Sequence, residues 1–407
     1  MKKLKIKGFF KDITGSMRVS KRRNANIKNA SPVNDYKDPI KELALELHPV
    51  VTHVVVKKVE DVSPTARKFT FVAIDGDKLP PFEAGQYVSL DLEIDGKKAY
   101  RPYSISSAPF QARSGEEPFF EITVRNGRPG QGYVSSYIYA NLKEGMKLEA
   151  HLPYGQFHIE PLRDSKNIVA LAGGSGITPF YSMAQEIAHG TLDVDLTILY
   201  GSVSHDDIIL EKQIQAIHCP RVKFINVISG EGAKLLPGDE KGFISRDIIK
   251  KYSVDQDPSN GKTTYFVCGP LPMYLFINKE LEALKVPYRR IRMEVFGSTP
   301  DVTKNEGYPA GKEKEVYKIT VKRGIHEDII DAKGSETIQN AMERAGIPHE
   351  TRCRSGACGW CRTKVEKGEF FVPSVGDGRR AADKEYGYVH ACATYPLSDM
   401  VIKIEIE

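Results

Sequence analysis

The sequence predicts a multidomain protein: an antiparallel β-barrel, then an α/β doubly wound parallel sheet, then a small α+β unit of β-grasp type. Three observations predict it. Residues 51–160 are short β-branched or alternating runs between Pro/Gly/Asp turns, residues from about 165 to 300 read as βαβ, and four of the six cysteines crowd into Cys353–Cys392. The length of 407 residues supports two to three domains. A hydrophobic content of 41% with 27% charged residues excludes general disorder and fibrous folds. No apolar run reaches the ~18 residues of a membrane span. The expected segments are a basic extension (1–48), the barrel (49–162), the α/β unit (163–300), a polar linker (301–314) and the cysteine-bearing unit (315–407).

Charge is unevenly placed. Residues 1–50 hold 12 Lys+Arg against 5 Asp+Glu, so the rest of a chain of net charge +5 is slightly acidic. A near-neutral body argues against nucleic-acid binding. The first 30 residues carry ten Lys/Arg against one acid, Asp12, and lack the apolar core of a secretory signal. They read as a solvated basic arm, with docking to an acidic partner as the functional alternative.

In the barrel segment, Val54–Val56, Lys68–Ala73, Gln86–Leu92 and Phe120–Val124 read as strands. Among them lies Arg101-Pro102-Tyr103-Ser104, followed by Ser106-Ser107-Ala108-Pro109. These residues supply a cation for a phosphate, a flat face for a ring and a hydroxyl. About 30 residues on, Gly130-Gln131-Gly132-Tyr133-Val134-Ser135 opens a helix whose amides can hold a pyrophosphate. Together the two pieces resemble the R-x-Y-S…G-x-x-S signature of the ferredoxin–NAD(P) reductase superfamily. The resemblance implies FAD, with Arg101 on the pyrophosphate, Tyr103 on the isoalloxazine, Ser104 beside its N5, and Gly132, Val134 and Ser135 on the phosphates. Relatives with this domain order use FMN, but Ser106–Pro109 is more similar to the FAD branch.

In the α/β segment, strand Asn167–Ala172 leads into Gly173-Gly174-Ser175-Gly176-Ile177-Thr178-Pro179, then a helix to about Ala188 with Thr178 as its expected cap. Val194–Tyr200 and Tyr265–Val267 are further strands. A glycine-rich turn from strand to helix aims amides at a dinucleotide. Cys268-Gly269-Pro270 with Met273 resembles the superfamily's segment where nicotinamide meets flavin, and Glu294-Val295-Phe296-Gly297 resembles its closing segment. The resemblance implies that Glu294 sits by the hydride-transfer site and Phe296 covers the flavin; Ser104, Cys268 and Glu294 would shape the pocket. Cys219 reads as a buried structural cysteine. After the second strand, Val203 stands where relatives carry Arg, and Asp206 and Asp207 add negative charge. A free 2′-hydroxyl wants an acid there, so NADH is expected ahead of NADPH, with Asp206 as the ribose partner.

In the last segment Cys353, Cys358, Cys361 and Cys392 follow C-x4-C-x2-C…C, the plant-type [2Fe–2S] pattern. Structural zinc sites pair their ligands in two knuckles, whereas three cysteines sit together here. Three thiolates on one loop reach the cluster from one side and the fourth comes from a distant strand. Small residues (Ser355, Gly356, Ala357, Gly359) let backbone N–H groups approach the sulfurs. Val316–Arg323 and Val401–Ile406 read as strands and Glu336–Ala345 as a helix. Residues 315–407 resemble a plant-type ferredoxin domain. Trp360 is expected over the cluster edge, and Arg352, Arg354, Arg362 and Lys364 lean toward a basic docking face.

The order flavin–nicotinamide–[2Fe–2S] is similar to the phthalate dioxygenase reductase-like type, the reductase components of oxygenases and demethylases. It implies a cytoplasmic enzyme passing electrons from NADH through FAD and the cluster to a partner protein such as an oxygenase, a demethylase or a corrinoid protein. The alternatives are a non-autonomous subunit of a larger redox complex and a zinc-bearing interaction module.

Overall fold

In the computed structural model, residues 8–30, 37–127, 132–297, 299, 301–374 and 377–404 are described. The chain divides into two compact units, parted between Glu46 and Leu47. The first holds helices α1 (Phe9–Lys28) and α2 (Pro39–Leu47). Asp12 in the first turn of α1 and Lys28 in its last complement the helix dipole. The basic arm is therefore helical, with Phe10, Met17 and Ile27 exposed.

The second unit opens with six strands: β1 (Thr52–Ser63), β2 (Ala66–Ala73), β3 (Tyr87–Ile94), β4 (Lys97–Ser104), β5 (Phe119–Arg125) and β6 (Lys147–Tyr154). Their order is β4-β3-β6-β1-β2-β5, every pairing antiparallel, and a bridge between Ile105 and Ile122 joins the two edges into a barrel. Alternation drives this, because every second residue of a strand faces inward. Phe69, Phe71, Leu90, Phe120 and Ile122 fill the interior, and the cross-strand partners Phe71 and Phe120 stack at 5.0 Å. Helices α3 (Pro109–Arg113) and α4 (Tyr133–Asn141) flank β5.

Next come β7 (Asn167–Gly173), α5 (Thr178–His189), β8 (Asp195–Ser202), α6 (Glu211–Gln215), β9 (Val222–Ile228), β10 (Glu240–Lys241), α7 (Arg246–Lys251), β11 (Thr263–Cys268), α8 (Leu271–Ala283) and β12 (Ile291–Glu294). The strands form a parallel sheet in the order β10-β9-β8-β7-β11-β12. The continuous apolar run of β7 suits a central strand covered on both faces. Phe180, Met183 and Ile187 of α5 cover one face, and Ile248, Ile277 and Leu281 cover the other. Strand order reverses between β7 and β11, the switch point at which open α/β sheets bind ligands.

Thr178 does not cap α5. A 3₁₀ turn over Gly174–Ile177 feeds straight into the helix, Ile177 is the cap residue, and the Thr178 hydroxyl donates to the Ser175 carbonyl at 2.9 Å. The glycines let the chain coil before the helix proper begins. Cys219 is half-buried at the rim of the core.

The third sheet comprises β13 (Val316–Arg323), β14 (His326–Lys333), β15 (Arg362–Lys367), β17 (Tyr388–His390) and β19 (Met400–Ile404), while β16 (Phe370–Phe371) pairs with β18 (Tyr395–Pro396). The order is β14-β13-β19-β15-β17, with β13 and β19 parallel. Helix α9 (Ile338–Ala345) packs Ile338, Ala341 and Met342 onto it, and the Thr337 hydroxyl caps the helix by accepting the Asn340 N–H at 3.2 Å. Helix α10 (Ala381–Glu385) completes the unit. The segment joining the second and third sheets is more than a spacer, because Val302 is buried within it.

Candidate redox site where three sheets meet

Residues far apart in sequence converge at the carboxyl ends of β11 and β12 and the end of β4. The Ser104 hydroxyl donates to Glu294 Oε2 at 3.4 Å. Cys268 and Glu294 end neighbouring parallel strands in register. Tyr274 of α8 ties them together: its hydroxyl accepts the Gly269 N–H at 3.1 Å and donates to the Glu294 carbonyl. Ser104, Cys268 and Glu294 are all buried. Burial pushes the Glu294 carboxyl well above its ordinary range, opposed by the Ser104 hydrogen bond, and pushes the Cys268 thiol up as well.

Phe296 meets Tyr87 edge-on at 5.4 Å, and Tyr87 lies 6.0 Å from Tyr154. Tyr154 in turn lies 6.2 Å from Trp360. Trp360 packs beside Tyr154 of the barrel and on the Arg352 guanidinium at 4.5 Å.

The glycine turn after β7 is cut close. A Cβ on Gly176 would lie 2.1 Å from the Cys268 carbonyl oxygen, and one on Gly173 would lie 2.5 Å from the sulfur of Met273, next to Pro270. Gly269 is hemmed in by the same sulfur, at 2.6 Å. Gly174 has φ +54° beside Arg125. These glycines let the turn pack directly against the end of β11 and the start of α8. Asp206 is exposed, whereas Asp207 is held by Arg125 at 2.5 Å.

On the barrel, Gly132 caps α4 in the left-handed region, Val134 is buried, and the Ser135 hydroxyl donates back to the Gly132 carbonyl at 2.9 Å. Gly130 and Gln131 lie outside the described residues. Tyr103 packs against the barrel core. Arg101 has a partner that the sequence did not reveal: its two Nη atoms donate to Glu343 of α9 at 2.9 and 3.1 Å.

The four cysteines lie in two pairs, Cys353 with Cys358 and Cys361 with Cys392, each pair within hydrogen-bonding reach. Cys392 comes from a 3₁₀ turn after β17 rather than from a strand. The Ser355 and Cys358 N–H groups donate to the Cys353 sulfur at 3.5 and 3.4 Å, and the Gly356 N–H donates to the Cys392 sulfur at 3.3 Å. Two thiol pairs, with amides aimed at the sulfurs, fit a binuclear cluster. Buried Arg352 Nε and Nη1 and Ser355 Oγ find no hydrogen-bond partner among the described residues, the Arg352 guanidinium lying instead on the Tyr154 and Trp360 rings.

Of the four cations expected on a basic docking face, two are buried and the other two are paired. Arg352 is buried between Tyr154 and Trp360, Arg354 is buried on Glu343, Arg362 is paired with Asp383 at 2.6 Å, and Lys364 donates to the Tyr386 carbonyl. Their charge is used inside the chain.

Three family models match: an oxidoreductase FAD-binding domain over 53–159, an oxidoreductase NAD-binding domain over 170–279, and a 2Fe-2S iron-sulfur cluster binding domain over 323–397. The glycine betaine monooxygenase reductase subunit of Pseudomonas aeruginosa is 29% identical over 374 residues, covering 88% of this chain and 98% of that relative. The carnitine monooxygenase reductase subunit of Acinetobacter baumannii is 26% identical over 333 residues, covering 81% of this chain and 91% of that relative. Among solved structures, phthalate dioxygenase reductase has the same fold, with a TM-score of 0.61 at 20% identity over 87% of this chain and 98% of that one. With oxidoreductase FAD-binding, oxidoreductase NAD-binding and 2Fe-2S cluster-binding domains in this order, the chain is a ferredoxin reductase-like NAD(P)H flavoprotein oxidoreductase with a C-terminal [2Fe–2S] domain, similar along most of its length to monooxygenase reductase subunits.

Proposed function

We propose that the chain is the NADH-dependent reductase of a multicomponent system, with an oxygenase, a demethylase or a corrinoid protein as the acceptor of its electrons. The observation that carries this reading is the meeting of the Ser104–Glu294 pair with the cysteine loop, where the Gly297 N–H donates to the Cys353 carbonyl at 3.5 Å. Hydride and cluster chemistry then share one small region. The kinship with glycine betaine and carnitine monooxygenase reductase subunits supports an oxygenase as acceptor.

FAD, when bound, takes two electrons as hydride and passes them on one at a time to an acceptor that holds one. The chain supplies placement. Glu294, whose carboxyl burial pushes toward the neutral form, accepts a hydrogen bond from the Ser104 hydroxyl and faces the pocket with it. Cys268, as a neutral thiol, fills the nicotinamide side. Gly173, Gly174, Gly176, Gly269, Pro270, Met273 and Thr178 form the bare turn for the dinucleotide. Tyr103, Phe296 and the amides of Gly132, Val134 and Ser135 would hold the flavin, with Arg101 committed to Glu343 instead of the pyrophosphate, and Cys353, Cys358, Cys361 and Cys392 the cluster. Asp206, exposed and not bound to Arg125, suits a ribose hydroxyl, and a 2′-phosphate would meet Asp206 and Val203 instead of a cation. The thiolate ligands and the use of NADH support a cytoplasmic location.

The test is the ratio of kcat/KM for NADH and NADPH in dye reduction. NADH should be favoured; a preference for NADPH contradicts the reading of this loop. A second reading concerns α1, whose Lys11, Arg18, Lys21, Arg22, Arg23 and Lys28 face only Asp12 in charge. That balance favours a docking arm for an acidic partner protein.

A further inference from the structure

One carboxylate, near the end of α9, serves one cation from the barrel and one from the cysteine loop. Glu343 accepts both Nη atoms of Arg101, on β4 of the barrel. It also accepts Arg354 Nη1 at 2.5 Å and Nη2 at 3.2 Å, and Arg354 directly follows Cys353 on the cluster loop. The three side chains are 13% (Glu343), 22% (Arg101) and 7% (Arg354) exposed, so water screens them poorly. Arg354 has φ +59°, a conformation rare for residues other than glycine, and is further held by Asn340. Without the carboxylate, two guanidinium groups would face each other across the contact and repel. Neighbouring contacts run across the same boundary: Lys97 Nζ donates to the Arg344 carbonyl at 2.5 Å, and the Ser89 hydroxyl donates to the Thr351 carbonyl at 3.4 Å.

We propose that Glu343 is a positioning residue, a charge clamp that holds the cluster loop against the flavin barrel. It sets the rate at which a single electron passes from reduced flavin to oxidised cluster, and it takes no part in the hydride step. The proposal rests on the reading that barrel and cluster lie on one electron path.

The test uses the holoenzyme with Glu343→Gln, which keeps shape and removes charge. In anaerobic stopped flow, flavin reduction by NADH should be unchanged while the cluster-reduction phase slows ~tenfold. Hydrogen exchange should quicken in Lys97–Ser104 and in the loop from Glu350 to Cys361. Glu343→Asp, which keeps the charge, should recover part of both. Added salt should slow cluster reduction in the native protein and have less effect on Glu343→Gln. Unchanged cluster reduction with unchanged exchange overturns the clamp. Loss of the cluster from Glu343→Gln also counts against it, since a clamp between sheets leaves the ligation of the sulfurs in place. If the native cluster takes no electrons from NADH-reduced flavin, the underlying electron-path reading fails instead.

Discussion

Glu294 is the residue on which the proposed hydride chemistry turns. Its carboxyl is buried, raised in pKa by that burial and hydrogen-bonded by Ser104, which favours its neutral form. Glu294→Ala should slow flavin reduction by NADH ~10- to 100-fold, whereas Glu294→Gln, shaped like the neutral acid, should retain most of the rate. Stopped-flow bleaching of the flavin band measures both. His349 offers a pH test of a different kind. Burial lowers its pKa to about 4, with the Arg354 charge adding to the effect, and its Nδ1 pairs with Gln339 Oε1 at 2.7 Å. Between about 4 and the ordinary 6.5 the unfolded chain binds a proton that the folded chain refuses. Stability supported by His349 is therefore complete above the upper value and is lost as pH falls through this window. Denaturant titrations should show that slope, and His349→Asn should flatten it; an unchanged slope assigns it to other groups. The cysteines and the Arg-x-Tyr-Ser motif could be read from sequence because their spacing is local. Glu343 could not, because its partner Arg101 lies 242 residues away and nothing near either residue announces the other.

At the scale of elements, the strands were the readable part. Val316–Arg323 is a strand at both bounds, and Phe120–Val124 lies inside β5, since alternation records which face is buried. The start of α5 was misplaced because Thr-Pro after glycines reads as a cap, while the turn before it is already coiled. The helical arm was missed because its apolar residues are sparse and no core covers them. The turn itself is testable. Gly176→Ala must displace the Cys268 carbonyl, so it should cost about 1–3 kcal/mol of stability and raise KM for NADH. Thermal unfolding and steady-state kinetics check the two effects, and a variant with native KM would show that the dinucleotide does not need the bare turn.

For the whole molecule, the net charge of +5 divides between a basic helical arm and a near-neutral redox body. Deleting residues 1–45 should leave NADH-to-dye activity intact and weaken coupling to the partner protein. An unchanged partner Kd sinks the docking arm. The order of the three units was legible because each carries a local motif. Their docking was not, since it depends on cross-sheet contacts such as Arg352 between Tyr154 and Trp360. Those contacts bring the hydride pocket and the cysteine loop together, and on that proximity the account depends. Anaerobic mixing with one equivalent of NADH, followed by absorbance and by low-temperature EPR of the frozen product, tests it most directly. The account predicts rapid flavin bleaching, then loss of cluster absorbance and the signal of a reduced [2Fe–2S] centre. Flavin bleaching with a cluster that stays oxidised would contradict it.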